Sequence, residues 1–173
     1  MAALRRAAML AFGGPGCFVG VARADGLRRM RGGRRRRMSL KLVYPALALI
    51  LWIFVVLGIL FMRRKAAFAG KQVRIADVAV STEAYPQPAR LAAANFANQF
   101  ETPVIFFALI MLAMEVGATS YIMAALAWLY VASRVVHTVI HVGSNDLRLR
   151  APAFGLGVVV LFCMWIGVVL AVL

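Results

Sequence analysis

Three polar side chains in the middle of the chain have types and spacing that could do chemistry together. Arg90, Asn98 and Glu101 are separated by two steps of four residues and one step of three, and such steps place side chains on one face of a helix. A guanidinium, an amide and a carboxylate on one face could pair with each other or hold a polar ligand. The sequence therefore predicts a polar stripe that ends at Glu101.

A second polar stripe lies further along the chain. Arg134, His137 and His141 follow each other at intervals of three and four residues, which again places them on one helical face. Two antiparallel helices would bring the two stripes to the same depth. The histidines have no cysteine or second acid beside them, and we therefore predict no metal site.

The amino-acid composition indicates whether these stripes lie in a soluble protein or in a membrane protein. The chain has 173 residues, of which 64% are hydrophobic, and its mean hydropathy is +0.86. Soluble domains are closer to half apolar, so we predict an integral membrane protein. The net charge of +14 does not indicate nucleic-acid binding, because ten of the twenty basic residues lie in the first 37 positions.

The first 37 residues differ in character from the rest of the chain. They contain glycine-rich and arginine-rich runs such as GGPG and RMRGGRRRR, and a typical membrane-protein opening, MSLKLVYPALALILW, starts at Met38. We predict that residues 1–37 are a disordered or mis-called extension and that 38–173 form the membrane domain. A basic arm that binds lipid headgroups is the alternative. Two cysteines, Cys17 and Cys163, cannot form a disulfide framework.

Four apolar segments are long enough to cross a bilayer as helices. We predict an all-α, integral membrane four-helix bundle with both termini on the same side of the membrane. Pro103 is expected to bend the second helix, and glycines such as Gly155, Gly157 and Gly167 are expected to let helices approach closely. The predicted spans cover 42–62, 90–114, 121–141 and 152–173.

Basic residues indicate which side of the membrane the connections occupy. They cluster in the connections after the first and third spans, which predicts that these two connections are cytoplasmic. If the basic tail is real, it competes for the same side. The residues concerned are Arg63, Arg64, Lys65, Lys71, Arg74, Arg148 and Arg150.

The polar stripes have three interpretations on residue chemistry alone. Ionisable groups within a membrane segment are costly unless they face protein or water or pair with each other, so a lipid-facing Glu101 is disfavoured. The stripes could form a structural salt bridge from Glu101 to Arg134 or Arg90, or a hydrophilic pocket for a polar ligand. A small transporter or proton relay that uses Glu101 and His137 is the third interpretation.

The segments NQFETPVIF and RVVHTVIH, the latter followed by LRAP, carry a resemblance to a known family. Over residues 38–173 the chain resembles a divergent bacterial-type member of the MAPEG family, the membrane-associated proteins of eicosanoid and glutathione metabolism. The resemblance implies a homotrimer of four-helix subunits in the bacterial inner membrane. It also implies that glutathione is held between subunits near the cytoplasmic side.

The resemblance further implies which residues bind glutathione. Asn98 and Glu101 would contact its polar backbone or amino group, His137 and Arg134 would line the site from the third helix, and the remaining arginines would meet its carboxylates. The full predicted set is Arg90, Asn98, Glu101, Arg134, His137, His141 and Arg150. His141 stands where some members have tyrosine.

The chain departs from the family pattern at positions linked to catalysis. Ala94 and Phe154 occupy positions where active branches carry arginine, and Val158 lies where a tyrosine is expected. The resemblance implies that a thiol acts on lipophilic electrophiles or peroxides, as in a transferase or peroxidase. The departures leave open an alternative, a non-catalytic membrane protein whose polar cluster specifies helix pairing and oligomerisation.

Overall fold

The part of the chain that the structure describes is mostly helical. A computed structural model describes the backbone of residues 15–79 and 81–173 and the side chains of residues 40–79 and 81–173. Within these ranges the chain forms six α-helices and one short 3-10 helix, and no β-strand. In chain order they are α1 (Pro15–Ala69), α2 (Ile75–Val78), α3 (Gln87–Ala97), η1 (Asn98–Phe100), α4 (Thr102–Val116), α5 (Tyr121–Val142) and α6 (Leu147–Val172).

Backbone contacts divide the chain into two units, Met1–Arg37 and Met38–Leu173. The first fourteen residues and Val80 lie outside the described residues. The assignment of 1–37 as a mis-called or disordered extension therefore stays a prediction. The second unit contains the hydrophobic core and all predicted site residues.

Four helical segments of the second unit are long and apolar enough to cross a membrane. They are Leu40–Ala69, Gln87–Val116, Tyr121–Val142 and Leu147–Val172, with mean hydropathies of 2.7, 1.6, 1.5 and 2.7. The predicted all-α membrane bundle is confirmed, and the protein is an integral, multi-pass membrane protein. Four crossings place the start of the first span and the end of the fourth on the same side.

The third span is the centre of the bundle. Half of its apolar window is buried, compared with 22% for the first span. On α5, the Tyr130 ring stacks on Phe106 of α4 at 4.7 Å between centroids, and its hydroxyl donates to Thr102 Oγ1 at 3.0 Å. These contacts fix α4 against α5, so the second span is held by the helix that carries the second polar stripe.

Small residues bring α6 close to α5, as predicted. A Cβ atom added to Gly157 would lie 3.0 Å from Ser133 Oγ, and one added to Gly167 would lie 2.8 Å from Met123 Cε. Both glycines therefore permit close helix packing. Gly155 has no such neighbour within 4 Å in the described chain, and the prediction is confirmed for the other two glycines.

The fourth span begins five residues earlier than predicted. The sequence placed its start at Pro152, but α6 begins at Leu147. Asp146 caps the helix, because its carboxylate accepts a hydrogen bond from the Arg148 amide at 2.8 Å. Pro152 lies inside the helix, where it removes one backbone hydrogen bond. The early start places Arg150 on the first turns of α6.

The second span is broken rather than bent. The sequence predicted a bend at Pro103, but α3 ends at Ala97, η1 follows, and Glu101 has φ −92° and ψ −94° before α4 begins. Pro103 then lies in the first turn of α4, where a missing N–H costs no helix hydrogen bond. The break therefore lies at Glu101, and it changes the direction of the side chains on either side of it.

Candidate functional site

Arg134 is the most deeply buried charge of the predicted site. Its side chain is 1% exposed, and Nη2 donates a hydrogen bond to the carbonyl oxygen of Asn98 at 3.1 Å. Carbonyls at the end of a helix lack partners within that helix. The break after α3 thus supplies an oxygen for a guanidinium that reaches across from α5.

His137 and His141 continue the stripe on α5. Both imidazoles are buried, and their ring centroids are 5.4 Å apart. The His137 ring also packs against the ring of Phe154 on α6 at 5.7 Å. The Nδ1 atoms of both histidines are buried without a hydrogen-bond partner among the described residues. The predicted stripe of Arg134, His137 and His141 is therefore present, and α6 closes over it.

A cavity of ≈ 360 Å³ lies between the second span, α5 and α6. It is not enclosed by the single chain. Four of the seven predicted site residues line it, and they contribute an amide, a carboxylate, an imidazole and a guanidinium. The lining residues are Asn98, Glu101, His137, Leu147, Arg150, Ala151, Phe154 and Gly155.

Arg150 lies on the wall of this cavity formed by α6. Its Nη1 donates to Asn145 Oδ1 at 2.6 Å. Asn145 has a positive φ of 51°, a conformation that asparagine tolerates better than most residues. The turn before α6 therefore orients Arg150 with a neutral acceptor, so its positive charge is not cancelled by this contact.

Glu101 does not form the ion pair with Arg134 or Arg90 that one of the three interpretations of the sequence required. Its side chain is exposed in the single chain. The Glu101 carboxylate interacts electrostatically with the Arg134 guanidinium, but no N···O distance between them is within 4.0 Å. The ion pair present among the described side chains joins Arg74 and Asp77 at 3.1 Å, and this hydrogen bond lowers the pKa of Asp77. The sequence disfavoured a Glu101 that is not covered by protein, but this residue is exposed in the single chain and lies at the edge of the bundle, where it lines the cavity.

Arg90 lies apart from the cavity that holds Asn98 and Glu101. It lines a second cavity of ≈ 480 Å³, together with Arg64 and the aromatic rings of Phe96 and Phe100. Two steps of four residues in a helix of 3.6 residues per turn rotate a side chain by about 80°. The predicted single face from Arg90 to Glu101 therefore does not hold, and the role of Arg90 in ligand binding stays a prediction.

Comparison with known protein families matches residues 42–170 to the MAPEG family. This match covers most of the chain. The chain belongs to the MAPEG family. Comparisons with curated proteins and with solved structures gave no match. The MAPEG match spans all four membrane helices, so the broken second span and the stripe on α5 both lie within the family domain.

The MAPEG domain also contains a buried polar network that the sequence did not assign to the site. Thr138 Oγ1 donates to Asn95 Oδ1 at 3.3 Å and accepts from Trp52 Nε1 at 3.4 Å. Gln99 Nε2 donates to the Asn95 carbonyl at 3.1 Å. Asn95 and Gln99 stand one turn apart in an apolar span. That spacing was the available signal for a polar contact with the adjacent helix.

The charges around the first cavity indicate the kind of ligand it fits. Arg150 on its wall and Arg134 behind it are positive, and Glu101 is the one carboxylate that lines it. Such an arrangement suits a molecule with carboxylate groups and one ammonium group, because guanidinium pairs well with carboxylate. The cavity size also lies within the range of small-molecule sites, about 300 to 1,000 Å³.

Proposed function

We propose that the cavity between the second span, α5 and α6 binds glutathione or a related thiol. The observation that carries the proposal is the convergence of Asn98, Glu101, His137 and Arg150 on one cavity. When bound, the thiol would add to a lipophilic electrophile or reduce a peroxide. The protein would supply position and charge, which are the main contributions expected for such chemistry.

The residues of the cavity fit the functional groups of glutathione. The tripeptide carries two carboxylates, an ammonium group and amide groups. Arg150 would hold a carboxylate, and the unpaired Glu101 would hold the ammonium group. Asn98 would hydrogen-bond an amide. Each residue thus offers a complementary group, and Glu101 has no competing ion pair within the described part of the chain.

Membership of the MAPEG family supports both the ligand and the assembly. Members of this family are generally associated with glutathione and are generally oligomeric. The single chain does not enclose the cavity, which is consistent with closure by a neighbouring subunit. We therefore propose a homotrimer in the bacterial inner membrane, with the lipophilic substrate entering from the bilayer.

A structural role for the polar cluster is the second candidate. The hydrogen bond from Arg134 to the Asn98 carbonyl joins α5 to the second span, as expected of a contact that specifies helix pairing. In that case the cluster would stabilise the bundle without binding a ligand. The two candidates differ in what a change at the cavity mouth would do.

Calorimetric titration of the purified protein with glutathione distinguishes these candidates. Glu101→Gln removes the charge at the cavity mouth, so we expect binding to weaken about tenfold or more while the oligomer keeps its size on gel filtration. Glu115→Gln is the matched control, because Glu115 is also exposed but lies at the far end of α4.

Two results would count against glutathione binding at this cavity. One is an unmodified protein that shows no heat of binding and no thermal shift with glutathione. The other is equal binding by the Glu101 and Glu115 variants. Loss of the oligomer in the Glu101 variant would favour the structural candidate. Flux across liposomes that Glu101→Gln abolishes would instead favour a transporter.

A further inference from the structure

The second cavity, of ≈ 480 Å³, lies between the end of α1 and the start of the second span. It shares no lining residue with the candidate glutathione site. Two arginines line it, and none of the described residues in its wall is acidic. Apart from small alanines, the lining residues are Arg64, Arg90, Thr82, Leu60, Phe96 and Phe100.

The positive charges of this cavity have no carboxylate partner. Arg64 is half-buried, its Nε atom is buried without a hydrogen-bond partner among the described residues, and its Cζ atom lies 5.3 Å from the centroid of the Tyr85 ring. Arg90 is exposed. In the described part of the chain, no carboxylate oxygen lies within 4.0 Å of either guanidinium. Glu83 is exposed in the preceding connection and does not line the cavity.

A small hydrophobic cluster brings the two arginines to this cavity. Ala67, one turn after Arg64, and Ala89, next to Arg90, are buried in the same cluster as Tyr85. The cluster joins the end of α1 to the start of α3, so packing and not an ion pair places the two guanidiniums. Like charges that share a cavity repel each other. An anion bound between them would remove this repulsion.

The remaining wall of the cavity is apolar and extends into the membrane span. Phe96 lies six residues after Arg90, or about 9 Å further along the helix axis. The rings of Phe96 and Phe100 pack edge to face, with 5.1 Å between their centroids. On α1, Leu60 lies one turn before Arg64, on the side of the apolar run. The cavity therefore has a cationic end at the membrane surface and an apolar end in the hydrocarbon.

We propose that the second cavity binds one anionic phospholipid. Its phosphate lies between Arg64 and Arg90, and the first part of an acyl chain lies against the apolar wall. Guanidinium groups pair well with phosphate, and basic pockets between membrane helices suit acidic lipid headgroups. Glutathione and zwitterionic lipids fit less well, because their cationic groups would meet two arginines without the carboxylate that the first cavity supplies.

A lipid at this position would join the first span to the rest of the bundle. The first span has the smallest buried share of the four, 22% of its apolar window. The proposed lipid contacts this span through Leu60 and Arg64 and the second span through Arg90 and Phe96. Because a ligand that binds the folded state stabilises it, we expect the lipid to raise the unfolding temperature. This inference does not depend on glutathione binding.

Native mass spectrometry of the full-length protein in neutral detergent tests the proposal. We expect one dioleoylphosphatidylglycerol per subunit to stay bound under conditions that remove dioleoylphosphatidylcholine, and only the former lipid to raise the unfolding temperature. Arg64→Gln and Arg90→Gln should each weaken binding of phosphatidylglycerol about fivefold. Arg63→Gln is the matched control, because Arg63 is exposed, adjacent to Arg64 and outside the cavity wall.

Ala97→Phe tests the apolar end of the cavity without a change of charge. Ala97 lines the cavity, so a phenyl ring there would occupy space needed by the acyl chain. We expect this variant to lose phosphatidylglycerol although both arginines remain. Ala125→Phe is the control, because Ala125 is exposed on α5 and does not line the cavity. Gel filtration identifies variants that have lost the fold.

Glycerol phosphate distinguishes a lipid from a free phosphate as the ligand. We expect it to displace phosphatidylglycerol only at far higher concentration, because it has no acyl chain. Displacement at a comparable concentration would show a site for soluble phosphate and would overturn the proposal.

Three further results would also count against a lipid site. One is equal retention of the two lipids by the unmodified protein, and another is equal binding by the Arg63, Arg64 and Arg90 variants. Displacement of phosphatidylglycerol by glutathione would assign Arg90 to the thiol site instead. If no lipid binds and the oligomer dissociates when Arg64 and Arg90 are both replaced by glutamine, a neighbouring subunit fills the cavity.

Discussion

Individual side chains show how this protein places polar groups inside a bilayer. Arg134 is held by a carbonyl at a helix end, and Thr138 is held by Asn95 and Trp52. Water is not present in the hydrocarbon region to satisfy such groups. Polar side chains there need partners within the protein, and the partners of Arg134 and Thr138 tie α5 to the first and second spans.

Thr138→Val tests the buried hydroxyl. The substitution keeps the shape but removes the donor to Asn95 Oδ1 and the acceptor for Trp52 Nε1. We expect the free energy of unfolding in detergent to fall by about 1 kcal/mol. Thr138→Ser keeps the hydroxyl and serves as the control. Equal stability of the valine and serine variants would show that the network contributes nothing measurable.

Helical elements decide which contacts the sequence could predict. Arg134, His137 and His141 belong to one unbroken helix, so their spacing correctly predicted a shared buried stripe. The same reasoning failed for the second span, because η1 and Glu101 interrupt it. In addition, the direction of the side chains rotates by about 80° over eight helical residues, which separates Arg90 from Asn98. Regular helices were therefore predictable, and the break between α3 and α4 was not.

The ends of the helices were also less predictable from the sequence than the spans themselves. The apolar runs located all four spans, but the charged ends of α1 and α6 stay helical beyond the apolar residues. Charge marks where a segment leaves the hydrocarbon, whereas a cap such as Asp146 determines where a helix begins. The helix cap matters for the cavity, because the early start of α6 at Leu147 brings Arg150 to the cavity wall.

Gly157→Ala tests the close packing of α5 and α6. The added Cβ would lie 3.0 Å from Ser133 Oγ and 3.5 Å from the Tyr130 ring, and Ser133 is already fixed by its bond to the Tyr130 carbonyl. We expect a loss of about 1 kcal/mol or more in the free energy of unfolding. Gly58→Ala is the control, because nothing lies within 4 Å of its Cβ, and alanine there should be neutral or stabilising. Similar effects at both positions would contradict the packing role.

At the scale of the whole molecule, the four spans leave two basic connections on one side of the membrane. One follows the first span, and the other, before the fourth span, extends into the first turn of α6. Positive residues near span ends favour the cytoplasm. The cavity containing Arg150 lies at this basic end, so the orientation of the chain decides which compartment supplies its ligand.

Cysteine labelling in intact bacterial cells checks this orientation. With Cys17 and Cys163 replaced by serine, we expect a membrane-impermeant maleimide to label Glu115→Cys from outside. Ser144→Cys, in the connection before α6, should react after permeabilisation but not before. The reverse pattern would show that the basic connections face outward. Labelling of both positions from outside would indicate mixed orientation.

The low apolarity of the two middle spans has a consequence for how the protein is made. Their mean hydropathies of 1.6 and 1.5 are well below the 2.7 of the outer spans, and a charged residue at the centre of a span costs about 2.5 to 3.5 kcal/mol during insertion by the translocon. Neither middle span should therefore partition stably into lipid by itself. We expect the nascent chain to hold the second span at the translocon until the third emerges, so that the two enter the bilayer together as one helical hairpin.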